Sequence, residues 1–169
     1  EGGAPPFPAA LEIVDRRGCD RDPIDATTDE GSRTLLSYVW PEPPARFARA
    51  RDAVEVIRGA PVVVDRAEIV VWLPEQLADP MPGTGLVVMH SVVWQYLDAA
   101  TRTVVVEQLD AAGRAATPHA PVAWLRLEPN PETYAPAELR LKLWDGSERD
   151  PADVLLATTT FHGGVISWR

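Results

Sequence analysis

The chain has 169 residues, 46% of them hydrophobic and 24% charged, enough for one domain that buries roughly 70% of its unfolded surface without staples. Its net charge of −9, from 25 acidic against 16 basic residues, argues against a broad phosphate-binding surface and so against nucleic acid as a partner. No run approaches the ~20 apolar residues of a membrane span, no basic-then-apolar stretch opens the chain, and the single Cys19 excludes an internal disulfide framework, so a membrane-free, cytoplasmic protein is expected.

Residues 1–10 hold Gly2, Gly3, Pro5, Pro6 and Pro8 and read as a linker into a single domain over 11–169. Leu11 to Val14 is apolar and predicts a strand. Thr28 or Asp29 caps a helix carrying Leu35, Leu36 and Val39, which the Trp40-Pro41-Glu42-Pro43-Pro44 segment ends because proline cannot donate to it. From Ala45 to Arg58, Phe47, Ala50, Val54 and Ile57 recur at the spacing of one buried helical face, and Gly59 suits the cap. Pro61 to Val64 predicts a buried strand and Ala67 to Ala78 a helix broken near Pro74. Gly83-Thr84-Gly85 is a turn, and Leu86 to Met89 another buried strand. Asp98 caps a helix to Ala112, closed by Gly113, and Val122 to Leu127 is the next strand. This alternation predicts βαβ units and a parallel sheet covered on both faces. Glu138 to Trp144, Val154 to Thr160 and Val165 to Trp168 then read as an antiparallel meander on its edge, with His162-Gly163-Gly164 as the last tight turn.

Several chemistries fail on spacing. Ser91 follows a strand, as a nucleophile does on its elbow, but the flanking positions that must be glycine are Met89 and Val93. His90, His119 and His162 lack neighbours at metal-ligand spacing, so no metal site is expected. No glycine-rich loop carries the lysine of a phosphate loop. Trp72, Trp124 and Trp144 lie in apolar runs and belong to the core. Cys19 has Arg16, Arg17 and Arg21 beside it but no histidine base, and reads as an ordinary thiol. Position is the remaining clue, because open parallel sheets bind ligands at the carboxyl ends of their strands. Those ends hold Asp20, then Asp65 and Glu68, then His90 and Ser91. A carboxylate there either accepts from ribose hydroxyls or an adenine amino group, or simply caps a helix or solvates a loop.

The blocks Arg16-Arg17-Gly18-Cys19-Asp20, Leu35-Leu36-Ser37-Tyr38-Val39-Trp40-Pro41, His90-Ser91-Val92-Val93-Trp94-Gln95-Tyr96-Leu97, Trp124-Leu125-Arg126-Leu127-Glu128-Pro129 and Leu155-Leu156-Ala157-Thr158 resemble a bacterial domain-of-unknown-function family, number 2332, over nearly the whole chain. More distantly, Gly18-Cys19-Asp20, Arg66-Ala67-Glu68-Ile69 and Leu86 to Leu97 are similar to segments of class I S-adenosylmethionine-dependent methyltransferases. That likeness implies a Rossmann-like, mostly parallel sheet with antiparallel final strands. It also implies Asp20 at the ribose, Glu68 or Asp65 near adenine, and His90 and Ser91 facing the methyl group or an unidentified small-molecule or protein acceptor. The methyltransferase pattern places a glycine turn after a first strand, and only the proline-rich linker precedes Leu11. With Glu1 at the start, the expectation is therefore a chain lacking strand one, inactive and without measurable cofactor binding by itself, that closes its open sheet edges as a homodimer. Two functions stand: methyl transfer by the full-length protein, or a binding or scaffold module that keeps the fold without catalysis.

Overall fold

The computed structural model describes residues 10–40, 44–161 and 165–169. The predicted linker, the prolines Pro41 and Pro43, and the His162-Gly163-Gly164 turn lie largely or wholly outside the described residues. The architecture is mixed α/β with parallel and antiparallel strands, divided into two units, Ala10–Trp72 and Leu73–Arg169.

In the first unit, β1 (Arg17–Asp20) pairs in parallel with β2 (Val63–Arg66), in the register Arg17↔Val63 to Asp20↔Arg66. Parallel neighbours need a long crossover, which α1 (Asp29–Ser37) and α2 (Pro44–Gly59) supply. Thr28 is the N-cap of α1: its backbone is extended and its Oγ1 accepts from the Gly31 N–H at 3.0 Å. Asp29 and Glu30 add negative charge at the positive end of the helix. Pro44 opens α2, where its missing N–H costs nothing, and Arg58 ties that helix to Asp29 of α1 at 2.7 Å. On the face expected to be buried, Val54 is buried and Phe47 is exposed.

Two strands differ from expectation. Leu11 to Val14 is not a strand, and Leu11, Ile13 and Val14 are exposed. An apolar run becomes a strand only where a neighbour takes its backbone bonds. Here β2 pairs with the polar Arg17–Asp20 segment instead, held by the Arg17 guanidinium on Asp65. The run at Pro61 to Val64 is displaced to Val63–Arg66 and is not buried: Val63 and Val64 are exposed, because a two-stranded sheet offers little cover.

A helix α3 (Ile69–Leu77) follows and runs through Pro74 rather than breaking there. The second unit holds a five-stranded sheet in the order β3-β4-β5-β6-β7, with β3 (Leu86–Ser91), β4 (Val122–Pro129), β5 (Ala137–Trp144), β6 (Asp153–Thr159) and β7 (Ile166–Trp168). β3 and β4 are parallel and every later pair is antiparallel, as the alternation of Leu139, Leu141 and Leu143 with charged residues predicted. The strands thus fall into two sheets rather than one parallel sheet with an antiparallel edge. Along β3 half-buried and exposed positions alternate, so one face is uncovered there and Val87 and Met89 are exposed instead of buried.

α4 (Ala99–Ala115) joins β3 to β4 and packs on β4 and β5. Asp98 caps it, accepting from the Thr101 N–H at 2.7 Å. Its buried stripe Val105, Leu109 and Gly113 lies at four-residue spacing. Gly113 is therefore not the stop that the sequence suggested. It stands inside the helix, where its missing side chain makes room for the Trp144 ring. Trp124 and Trp144 are core as expected, whereas Trp72 is only half-buried.

Candidate functional site

The first unit gathers two of the predicted carboxylates. The loops after β1 and β2 enclose an open cleft of about 670 Å³ lined by Asp20, Arg21, Asp22, Arg66, Ala67 and Glu68. Asp20 shapes the first loop: its Oδ1 accepts from the Asp22 N–H at 2.8 Å and its carbonyl from the Ala67 N–H at 2.9 Å. Glu68 opens α3 with its carbonyl and pairs with Arg21 at 2.9 Å, while Arg66 pairs with Asp22 at 2.7 Å. Both ion pairs are exposed, so each is weak and exchangeable.

Asp65 is used differently. It receives Nε and a terminal nitrogen of Arg17 at 2.6 and 3.0 Å and the Trp72 indole N–H at 2.7 Å. These donors, the Arg17 hydrogen bonds first, hold its carboxyl below the ordinary aspartate range. Asp65 thus ties β1 to the start of α3. Burial, with Asp20 and Asp65 adding, pushes the Cys19 thiol up, which matches an ordinary thiol and not an activated one.

The second unit places His90 and Ser91 at the end of β3. Ser91 is exposed. His90 is embedded: Nδ1 lies 2.6 Å from Glu128 Oε1, and Nε2 accepts from the Trp124 indole N–H at 3.0 Å. Trp94 stacks on the imidazole with centroids 5.4 Å apart and planes 13° apart. Arg126 lies 4.1 Å over the Trp124 ring and pairs with Asp153. Glu128 Oε1 also takes the backbone N–H groups of Val93 and Trp94, at 3.1 and 3.3 Å. The chain turns between Ser91 and Val93 through Val92, whose φ of +49° is a strained value for a β-branched residue. The Glu128 carboxylate, tied to both sides of that turn, compensates the strain.

Glu128 was not among the predicted site residues. Its signal was present: it lies near the end of β4, the strand after the one whose end carries His90, and parallel neighbours bring such residues side by side. What was missing was the register His90↔Arg126, which puts Glu128 within reach.

Burial raises the Glu128 carboxyl, but the hydrogen bonds from His90 and from the Val93 and Trp94 N–H groups outweigh it, so it titrates below the usual glutamate value of 4.5. The folded form therefore binds this proton less readily than the unfolded chain. The stabilisation is complete above the unfolded value and is lost as pH falls through the lowered one. In urea denaturation followed by tryptophan fluorescence, stability should be flat from about pH 7 to 5 and fall below about pH 4. The fall should be shallower in Glu128→Gln. Equal slopes in the two proteins would show that this carboxyl is not coupled to folding.

Among the described residues no group of three or more His, Cys, Asp or Glu could hold a metal ion, and no helix is long and apolar enough to cross a membrane. A family model described as "Uncharacterized protein conserved in bacteria (DUF2332)" matches residues 1–168. No curated protein and no solved structure matches the chain.

Proposed function

We propose, for a chain that belongs to the bacterial domain-of-unknown-function family 2332, that its full-length gene product binds the nucleoside part of S-adenosylmethionine and serves methyl transfer to a small-molecule or protein acceptor. The carrying observation is the cleft at the carboxyl ends of the parallel strands β1 and β2, where Asp20 and Glu68 line one space. That position is where open parallel sheets take ligands. The chemistry also fits: carboxylate oxygens only accept, and ribose hydroxyls and the adenine amino group donate. When bound, the cofactor supplies an electrophilic methyl group. In this reading Asp20 binds the ribose and Glu68 leaves Arg21 to meet the adenine, both within the first unit.

One observation favours the alternative of a non-catalytic binding or scaffold module: both ring nitrogens of His90 are already occupied. Calorimetry of the full-length gene product with S-adenosylmethionine separates nucleoside binding from its absence. Binding is expected, and Asp20→Ala should weaken it by about 1–3 kcal/mol, the cost of a lost charged hydrogen-bond partner. No heat from the unmodified protein overturns the reading. Binding that ignores the substitution makes Asp20 a loop cap only.

A further inference from the structure

Successive side chains of a strand face opposite sides of their sheet, and paired residues share a side. The register therefore sorts the five-stranded sheet into two faces. α4 covers one of them, lying on β4 and β5 with Gly113 against Trp144. The charged residues Arg126, Arg140, Lys142 and Asp153 stand on that same side and are paired there, Lys142 with Asp110 of α4. The other face holds one row of Val87, Ala123 and Leu143 and a second of Met89, Leu125, Leu141 and Val154. All seven are apolar. Val87 is 57% exposed, Met89 65%, Leu143 43% and Val154 49%. Further along this face Ala157 is buried, which confines the open area to these two rows.

An antiparallel sheet with one wet face ordinarily turns polar side chains to the water. Here Val, Leu and Met point outward side by side. With the half-buried Ala123, Leu125 and Leu141, they leave on the order of 400 Å² of contiguous apolar surface, the size that marks an interaction site and not a scatter of single residues.

We infer that this face is the contact between two copies of the chain, packed sheet on sheet about a two-fold axis. Three features select a second copy. The chain carries a net charge of −9, so copies repel wherever their acidic surfaces meet, and these two rows offer a contact with no charge in it. A sheet face is complementary to itself, because two such faces stack about 10 Å apart with their side chains interleaved. Two copies of the rows bury about 800 Å², and the rim brings this near the roughly 1,000 Å² of a small specific interface. Pairing through the edge of β3 would leave the face wet, so the face is the contact. A contact at the lower limit of area gives a dimer of micromolar strength.

The inference concerns the second unit and does not rest on nucleoside binding. Sedimentation equilibrium of the 169-residue chain should give a mass near twice 18.5 kDa at about 100 μM, falling toward 18.5 kDa at about 1 μM. Leu143→Lys puts a charge into the contact from both copies at once and should weaken association about a hundredfold or more. Val56→Lys, at an exposed apolar position on α2, should leave association unchanged. A second measurement needs no substitution. Met81 and Met89 are the chain's two methionines and are 58% and 65% exposed in a single copy. Under excess hydrogen peroxide, read by mass spectrometry, oxidation of Met89 relative to Met81 should fall several-fold as the chain is concentrated. If Leu143→Lys fails to fold by circular dichroism, the methionine ratio decides alone. A single 18.5 kDa species at the high concentration overturns the inference, as does a methionine ratio that ignores concentration. A folded Leu143→Lys chain that still pairs also overturns it and assigns the contact to another surface.

Discussion

Gly113→Ala should destabilise the second unit by about 3 kcal/mol, although an exposed helix would gain ~1 kcal/mol from the same change. A Cβ at this position would stand 2.3–2.5 Å from Cδ2, Cε2 and Cγ of Trp144. The ring cannot swing aside. Trp144 is 1% exposed, its strand is paired with β4 at Val122, and Lys142 lies 4.9 Å over its face while bonded to Asp110 and Asp150. The helix cannot move away without exposing Val105 and Leu109, the rest of its buried stripe. Equilibrium urea denaturation measures the loss, and Trp144→Phe in the Gly113→Ala background should recover part of it by vacating ring volume. An unchanged or raised midpoint in the single variant would show that α4 and β5 leave room for a methyl group at this position.

Glu128→Ala should cost about 3–5 kcal/mol, because one carboxylate oxygen satisfies three donors at once. Without it, His90 Nδ1–H and the Val93 and Trp94 N–H groups lose their acceptor in a partly buried place. Val92 would also lose the bonds that hold its left-handed backbone. Relaxation of the turn would release Trp94 from His90 and expose both rings. Glu128→Gln keeps an acceptor oxygen and should cost less than half as much. Urea denaturation with tryptophan fluorescence compares the two. Equal and small losses would reduce the Glu128 cluster to a surface contact.

What the sequence by itself determined lies within a few residues of each signal. Thr28 and Asp98 mark helix starts because a cap bonds an N–H three positions on, a distance that needs no tertiary partner. The alternation of Leu139, Leu141 and Leu143 with Arg140 and Lys142 marks β5 because successive strand side chains face opposite ways.

The tertiary structure alone decided the pairings. Leu11 to Val14 has better strand composition than Arg17–Asp20, yet β2 takes the polar segment, since a strand is stabilised by the neighbour it meets and by fixing ion pairs such as Arg17 with Asp65. Gly113 reads as a helix stop until Trp144, far along the chain, fills the space above it. His90 looks like an open base until Trp124 and Glu128, 34 and 38 residues away, are brought to its two nitrogens. Local signals specify elements because backbone geometry is local. Register, cover and the occupancy of a side chain's bonds depend on which distant groups win the contest for the same space, and that contest is settled only when the whole chain is packed.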